Sequence, residues 1–385
     1  MNRLGSGLFS LLIAIVLLLA GTFPVSAIDR TAIADNPPAA ASTPSPSQLI
    51  ESAPQAIPEP AAVNFNIWYE GNLRFGQLGN PQPIINIMGN AAGATRLTYR
   101  LNGGPEIELD LGTENVRLVR TGDFNVSIPI NSPYLQSSNT LLLTAQDSSG
   151  GSFERVVQFT YQPNRTWPLN YSVDWDGPGA IHDKAQVVDG LWRIESGGIR
   201  PVQVGYDRLV AIGDIKWQNY EVEVPITFHR FYPVTGDPGG VGIIAYWNGH
   251  LPPGEPPDGW ENFGVYAYYS NRDDGGLALR IDAGGRQTMP FDDLQPGKTY
   301  IYKLRIENVS GGTHYSFKVW EDGEPEPGWA WENVRGTRFS SGSVLLAAHR
   351  VDATFGDVKV TSLEDIDPDP QPVLEHSLFI PSILK

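Results

Sequence analysis

Two neighbouring stretches carry the pattern that decides the fold: YEVEVPITFHR, residues 220–230, and GVGIIAYWNGH, residues 240–250. In the first stretch, polar and apolar side chains alternate for most of its length. Successive side chains of a β-strand point to opposite faces, so this alternation predicts a strand with one buried and one polar face. The buried face would carry Val222, Val224, Ile226 and Phe228.

The same pattern continues on both sides of these stretches. From Trp167 to Glu364 the sequence contains about a dozen strand-like segments and no helical periodicity longer than one turn. A single all-β domain of this length is typical of a two-sheet jelly roll. We therefore predict an all-β fold in which residues 163–366 form a jelly roll.

Residues 65–162 predict a second, smaller β domain. Asn102-Gly103-Gly104 lies between two alternating segments, which is a strong hairpin signal. About seven strands in roughly 100 residues are typical of an immunoglobulin-like (Ig-like) β-sandwich. The stretch NTLLLTAQDSSGG, residues 139–151, resembles the penultimate strand and turn of bacterial Ig-like modules.

The two ends of the chain do not have the pattern of a folded domain. Residues 1–27 combine Arg3, an apolar run and the small residues Val25-Ser26-Ala27, the features of a secretory signal peptide. Residues 28–64, rich in Ala, Pro and Ser, predict a linker. Residues 367–385 predict a second linker and an apolar tail. These segments indicate a protein that is secreted or held at the cell surface, without stable membrane insertion after signal cleavage. Export without any cysteine fits a bacterial protein.

Composition excludes several classes of partner and site. The chain contains no cysteine, so disulfides and Cys-ligated metal sites are excluded. With 27 basic and 43 acidic residues, its formal net charge is −16. Proteins that bind nucleic acid normally present a basic surface, so this charge argues against nucleic acid as a partner. A local basic pocket remains compatible with the overall charge.

Two segments of the C-terminal half carry a family resemblance: YSFKVWEDGEPEP, residues 315–327, and FGDVKV, residues 355–360. Residues 167–364 resemble the concanavalin A-like lectin and glucanase jelly rolls, and LamG-like domains in particular. Gly356 replaces the first Asp of the family's closing segment. The resemblance implies a protein that binds a polysaccharide or glycan. It leaves two alternatives: a polysaccharide lyase or glycoside hydrolase of the same fold, and a surface adhesion or assembly protein with a flat apolar patch.

Polar and aromatic side chains share the face opposite the apolar one on several of these strands. In the family that the chain resembles, the outer face of one sheet is concave. Sugars stack on aromatic rings, and their hydroxyls need hydrogen-bond partners. If the strands share this sheet, the predicted ligand-binding residues are Glu223, His229, Tyr246, His250, Tyr266, Tyr268 and Arg280. Trp260 would add to them from the Pro-rich loop, and Trp247 would be in the core or at the rim. The alternative is an ordinary solvated sheet face.

No recognisable catalytic motif accompanies this predicted groove. A retaining glucanase of this family carries an E-x-D-x-E type pattern that holds two carboxyl groups about 5 Å apart. That pattern is missing, as are H-E-x-x-H and G-x-S-x-G. If the protein is an enzyme, the candidates are Glu223, His229 and Arg280. A lyase would use Arg280 against a uronate carboxylate, with Tyr266 or His229 as base. An inverting hydrolase would use scattered carboxylates such as Glu223 and Asp282.

The resemblance also implies a structural Ca²⁺ between the first and the last strand of the jelly roll. Asp174, Asp176 and Asp357 match those places. Carboxylates that lie so close together repel one another unless a cation separates them, and turn hydrogen bonding is the alternative. The six histidines are spread singly, which argues against zinc. Asp207 and Arg208, next to Tyr206, predict a structural ion pair, with contact to the ligand as the alternative.

Overall fold

The computed structural model describes residues 62–113, 117–250, 262–271, 276–289, 291, 293–336 and 338–365. Within these ranges the chain forms 24 β-strands and two single-turn 3₁₀-helices, Ile181–Asp183 and Leu363–Asp365. None of the helices in these ranges is long and apolar enough to cross a membrane. The prediction of an all-β fold is confirmed. The predicted signal peptide, nearly all of the linker at 28–64 and the C-terminal tail lie outside the described residues.

The first eight strands form two sheets, which we call the N-terminal sandwich. They are β1 (Asn64–Ile67), β2 (Arg74–Phe75), β3 (Ile84–Ala92), β4 (Arg96–Leu101), β5 (Ile107–Leu109), β6 (Asp123–Pro129), β7 (Ser138–Gln146) and β8 (Ser152–Tyr161). The sheet orders are β1-β3-β6 and β2-β8-β7-β4-β5. Both sheets contribute to one core that includes Ile87, Phe124 and Leu141. The predicted hairpin is present, since β4 pairs with β5 and the turn between them has positive φ at Asn102 and Gly103.

The remaining strands form two larger sheets, which we call the C-terminal sandwich. They are β9 (Tyr171–Val173), β10 (Gln186–Asp189), β11 (Trp192–Glu195), β12 (Gly198–Pro201), β13 (Arg208–Ile212), β14 (Tyr220–Phe231), β15 (Gly240–Trp247), β16 (Val265–Asn271), β17 (Leu277–Asp282), β18 (Arg286–Thr288), β19 (Thr299–Val309), β20 (Gly312–Glu321), β21 (Trp331–Arg335), β22 (Ser343–His349), β23 (Val351–Phe355) and β24 (Val358–Ser362). The seven-stranded sheet has the order β10-β13-β22-β15-β16-β17-β18. The nine-stranded sheet has the order β11-β12-β23-β14-β19-β20-β21, with β24 pairing to both β14 and β9.

The apolar faces of these two sheets meet in one core. Val222, Val224, Ile226 and Phe228 of β14 are buried there, as the alternation predicts. The core also takes up Val265, Ala267 and Tyr269 of β16, which come from the opposite sheet. A second apolar group covers the outer face of the seven-stranded sheet and includes Leu209, Ile244, Tyr266, Tyr268 and Leu345.

Strand β15 departs from the predicted alternation near its end. Its pairing with β22 shifts register between Ile244 and Trp247, and Tyr246 has a φ of 50°. A β-bulge of this kind adds one residue and reverses the face that later side chains occupy. Tyr246 therefore belongs to the core, where its hydroxyl accepts a hydrogen bond from the Asn219 N–H at 3.1 Å. Trp247 joins the outer apolar group. The prediction that Tyr246 faces a groove is wrong. Of the two positions predicted for Trp247, the core between the sheets is not the one it occupies, although its side chain is fully buried.

A buried interface joins the two sandwiches. Trp68 and Met88 of the N-terminal sandwich belong to the core cluster of the C-terminal sandwich. Polar contacts surround them: Arg117 pairs with the buried carboxylate of Asp189, and the Ser343 hydroxyl donates to the Pro81 carbonyl at 2.9 Å.

Candidate functional site

A cavity of about 380 Å³ opens on the outer face of the seven-stranded sheet. Strand register explains why it is there. Ala347 of β22 pairs with Gly242 of β15, Gly242 with Tyr268 of β16, and Tyr268 with Arg280 of β17. Gly240, Gly242 and Ala347 carry little or no side chain. The middle of this sheet face is therefore a hollow between the longer side chains on either side.

Two tyrosines form the aromatic side of the cavity. Tyr266 and Tyr268 alternate with core residues along β16, and their rings stack with centroids 4.1 Å apart and an interplanar angle of 15°. A Cβ placed on Gly240 would lie 3.4 Å from the Tyr268 ring and 3.5 Å from the Tyr266 hydroxyl. Both side chains thus border the open space above Gly240. Burial raises the pKa of both phenols, so they remain neutral hydroxyl groups.

The other side of the cavity is built around His349, the last residue of β22. Its Nδ1 lies 2.9 Å from Asp207 Oδ1, and its Nε2 lies 2.6 Å from Asp237 Oδ1. Arg350 pairs with the other oxygen of Asp237, and Tyr206 packs edge-on against the imidazole, with ring centroids 4.5 Å apart. Because a carboxylate lies on each ring nitrogen, this arrangement suits an imidazolium that donates from both nitrogens.

Burial and charge shift the pKa values of these groups in different ways. Burial alone would lower the pKa of His349, but hydrogen bonds to Asp207 and Asp237 and their charges outweigh it and raise the pKa. Burial would raise the pKa of Asp237, but Arg350 and His349 outweigh it and lower the pKa. At Asp207 burial dominates and raises the pKa. The charged forms of His349 and Asp237 are therefore favoured together.

Three polar atoms of the cavity are buried and form no hydrogen bond with the described part of the chain: Asp207 Oδ2, Ser270 Oγ and Arg280 Nε. Buried polar groups are normally paired, and an unpaired one costs about 1–3 kcal/mol. A hydroxyl both donates and accepts, so a ligand rich in hydroxyls matches this mixture of donor and acceptor groups. The cavity thus suits a polar ligand of small-molecule size.

Three of the predicted ligand-binding residues meet at this cavity, namely Tyr266, Tyr268 and Arg280. Tyr246 is in the core. Trp260 lies outside the described residues, so its role stays a prediction.

Glu223 and His229 face the opposite outer surface of the C-terminal sandwich. Both lie on β14, which belongs to the nine-stranded sheet. There Glu223 forms an ion pair with Lys303 Nζ at 2.8 Å, and His229 Nε2 lies 2.9 Å from Thr354 Oγ1. The prediction of one shared groove is wrong for these two residues, because alternation reveals the faces of a strand and not the sheet that contains it.

His250 lies at the junction of the two sandwiches. Its Nε2 is 3.5 Å from the buried Oδ2 of Asp189, and its backbone N–H donates to Gln82 Oε1 at 3.4 Å. The bulge in β15 and the turn after it carry this residue away from the cavity, so its predicted place in the groove is also wrong.

Sequence reasoning missed His349 and Asp237. His349 had a detectable signal, since the alternation in SVLLAAHR puts it on the same face as Leu345 and Ala347. Asp237 lies in the turn between β14 and β15, and no periodic pattern marks such a residue.

The segment that follows Gly205 contains one structural residue and two cavity residues. Arg208 is buried and donates from Nε to the Gln203 carbonyl at 2.9 Å and from Nη1 to the carbonyl of Asp207. The Asp207 side chain, however, pairs with His349, and both Tyr206 and Asp207 line the cavity.

The predicted calcium residues lie where β9 pairs with β24, the first and last strands of the C-terminal sandwich. Lys184 places its ammonium group there. Its Nζ donates to the carbonyl oxygens of Asp174, Trp175 and Gly177 at 2.6, 3.1 and 2.6 Å. These are the backbone oxygens that a calcium ion in this turn would need.

The carboxylates of the same region serve local turns. Asp174 Oδ1 accepts from the Gly177 N–H, and Asp357 Oδ1 accepts from the Trp175 N–H, each at 2.9 Å. Asp176 accepts from the Gly197 N–H at 3.4 Å. Among the described residues, no cluster of three or more His, Asp or Glu side chains could hold a metal. This donor set does not fit Ca²⁺, because an ammonium already binds its carbonyl oxygens.

No known protein family and no curated protein matches the sequence. Among solved structures, the chain is similar to the CBM2 module of the Lactobacillus casei BL23 phage J-1 evolved Dit (9% identity, TM-score 0.30, 49% of this chain and 93% of that chain). It is also similar to a mutant Trypanosoma rangeli sialidase displaying trans-sialidase activity (11%, 0.33, 59% and 41%). A third is the metal-free carbohydrate recognition domain of Emp46p (9%, 0.30, 46% and 88%). The chain spans less than half of the sialidase, and similarity of this size carries no argument about a ligand.

Proposed function

We propose that the protein binds carbohydrate in the cavity on the outer face of the seven-stranded sheet. One observation carries the proposal: the stacked Tyr266–Tyr268 pair lies in the same cavity as three buried polar atoms without a partner. A pyranose ring has an apolar face that packs on aromatic rings and a rim of hydroxyls that need donors and acceptors. The cavity offers both kinds of contact.

We also propose that the C-terminal sandwich is a concanavalin A-like jelly roll and the N-terminal sandwich an Ig-like module. The two large antiparallel sheets and the pairing of the first strand with the last support the first assignment. The sequence features of the N-terminus support export, and the ligand would then be a glycan outside the cell.

Catalysis has less support than binding. Glu223 and Asp282, a pair considered for an inverting hydrolase, lie on different sheets. His229, a candidate lyase base, lies on the sheet opposite Arg280. Tyr266, the other candidate base, holds its proton tightly because burial raises its pKa well above the usual value.

Tyr268→Ala tests the proposed function. We expect the purified protein to bind at least one saccharide on a glycan and polysaccharide array, without new reducing ends or unsaturated products. The substitution removes one of the two stacked rings that border the open space, so we expect the affinity measured by calorimetry to fall by about tenfold or more.

Tyr134→Ala is the matched control for this experiment. Tyr134 is 43% exposed and lies on the N-terminal sandwich, so its loss should leave the affinity unchanged. A protein that binds no saccharide, or equal losses in both variants, would contradict the proposal. Formation of a product from a bound saccharide would show that the protein is an enzyme.

A further inference from the structure

Two guanidinium groups that line the cavity, Arg280 and Arg286, have no carboxylate partner among the described residues. Several other arginines of the C-terminal sandwich pair with a carboxylate at short range. Arg200 Nη2 lies 2.5 Å from Asp352, and Arg305 Nε lies 2.9 Å from Glu221. Neither guanidinium charge is neutralised by a carboxylate of the described residues, so both can pair with an anionic ligand.

The acidic residue nearest to them in strand register is already engaged. Asp282 of β17 pairs across the sheet with Arg286 of β18, yet their side chains form no ion pair within 4.0 Å. Asp282 Oδ1 instead accepts a hydrogen bond from the Gly285 N–H at 3.0 Å, which closes the turn between the two strands.

Both guanidinium groups act on the same part of the cavity. Arg280 pairs in register with Tyr268, and its Nε is one of the buried atoms without a partner. Burial raises the pKa of the Tyr268 phenol. The charges of Arg286 and Arg280 and a hydrogen bond with Arg280 oppose that rise, while the charge of Asp282 adds to it. The positive field thus reaches the Tyr268 hydroxyl, at the open space of the cavity.

The local charge opposes the charge of the whole chain, which is −16. Among the described lining residues, Asp237 is matched by Arg350 and Asp207 by His349. Asp282 is then the one remaining carboxylate against two guanidinium groups. A cavity with surplus positive charge in an acidic protein favours an anionic ligand.

We infer that the saccharide bound here carries a carboxylate, as uronates and sialates do, and that Arg280 and Arg286 bind it. This inference rests on the proposed function. A guanidinium presents a planar fork of N–H donors that matches the two oxygens of a carboxylate. The remaining sugar hydroxyls would meet Ser270 and Asp207.

The inference is tested by comparing the affinities for matched acidic and neutral sugars. The pairs are oligosaccharides of galacturonate and galactose, oligosaccharides of glucuronate and glucose, and a sialylated glycan and its asialo form. For at least one pair we expect the acidic member to bind at least tenfold more tightly at low salt, with an advantage that shrinks as ionic strength rises. Arg280→Gln should remove this advantage, because it lowers the affinity for the acidic member far more than the affinity for the neutral member. Arg165→Gln, at an exposed arginine outside the cavity, should leave it intact.

This experiment distinguishes a wrong inference about the carboxylate from a wrong proposal of carbohydrate binding. Equal affinity for both members of every pair would overturn the inference and leave carbohydrate binding in place. A sulfated analogue that binds as tightly as the carboxylate would overturn the assignment of the anion. Binding of no sugar, acidic or neutral, would overturn both.

Discussion

His349 holds two carboxylates that would otherwise repel each other across one side of the cavity. The groups that face it are Asp207, Asp237, Tyr206 and, through Asp237, Arg350. Its pKa is raised in the folded protein, so folding favours the protonated imidazole. The stability that it contributes is complete below its unfolded pKa of about 6.5 and is lost as pH rises through the folded value.

His349→Gln should therefore change how stability depends on pH. The wild-type protein is expected to lose more stability than the variant between pH 6 and pH 9. At pH 6 the variant should be less stable by roughly 3 kcal/mol, because a buried charge pair loses one partner. Thermal unfolding of both proteins across this range checks the prediction. Parallel curves would contradict it.

The pKa of Asp237 is lowered in the folded protein, so the stability that it contributes depends on pH in the opposite direction. Its contribution is present above its unfolded pKa of about 3.9 and is lost as pH falls through the lower folded value. The His349–Asp237 pair is therefore most stabilising between these two limits.

At the scale of the strand, much of the fold was predictable and the position of the site was only partly so. The two-faced pattern identifies β14 and β16 correctly, including the outward direction of Tyr266 and Tyr268. It does not reveal that these strands lie in different sheets, since strand order depends on long-range pairing. It also fails at the bulge in β15, where a single positive φ at Tyr246 reverses the faces.

Gly240 of β15 gives a test of the cavity itself. An added Cβ fits there, because it would make only ordinary contacts with Tyr268, Tyr266 and Ser270. Gly240→Val should fill the open space and weaken saccharide binding by about tenfold or more, with the melting temperature nearly unchanged. Calorimetry and thermal unfolding give the two readings.

Two further glycines serve as references for this prediction. Gly336→Val, at a position with no neighbouring atom within 4 Å, should affect neither reading. Gly242→Ala should destabilise the fold, since its Cβ would lie 2.0 Å from the Ala267 carbonyl oxygen. Unchanged saccharide binding by the Gly240→Val variant would show that the cavity is not the binding site.

At the scale of the whole molecule, the two sandwiches share buried residues. Trp68 and Met88 of the N-terminal sandwich are part of the core cluster of the C-terminal sandwich. Arg117 forms an ion pair with Asp189 across the junction between the two sandwiches. The sequence predicts two modules but not this junction, because it is formed by residues far apart in the chain.

Lys184 donates hydrogen bonds to three backbone carbonyls beside the pairing of β9 and β24, the first and last strands of the C-terminal sandwich. Its replacement by methionine leaves three backbone carbonyls without their donor, so Lys184→Met should lower the free energy of unfolding by roughly 3 kcal/mol. The wild-type melting temperature should not respond to calcium or to a chelator. A clear rise with calcium would show that an ion binds the carbonyl oxygens assigned to the ammonium.

An ammonium group that belongs to the chain cannot be removed by dilution or by a chelator. Mineral-poor water, phosphate, citrate or oxalate would remove a bound metal ion, but they leave Lys184 in place. The carbonyl cage at residues 174–177 is also complete as soon as the chain folds, with no separate step of ion uptake. The protein would thus keep the same closed sandwich from one medium to the next.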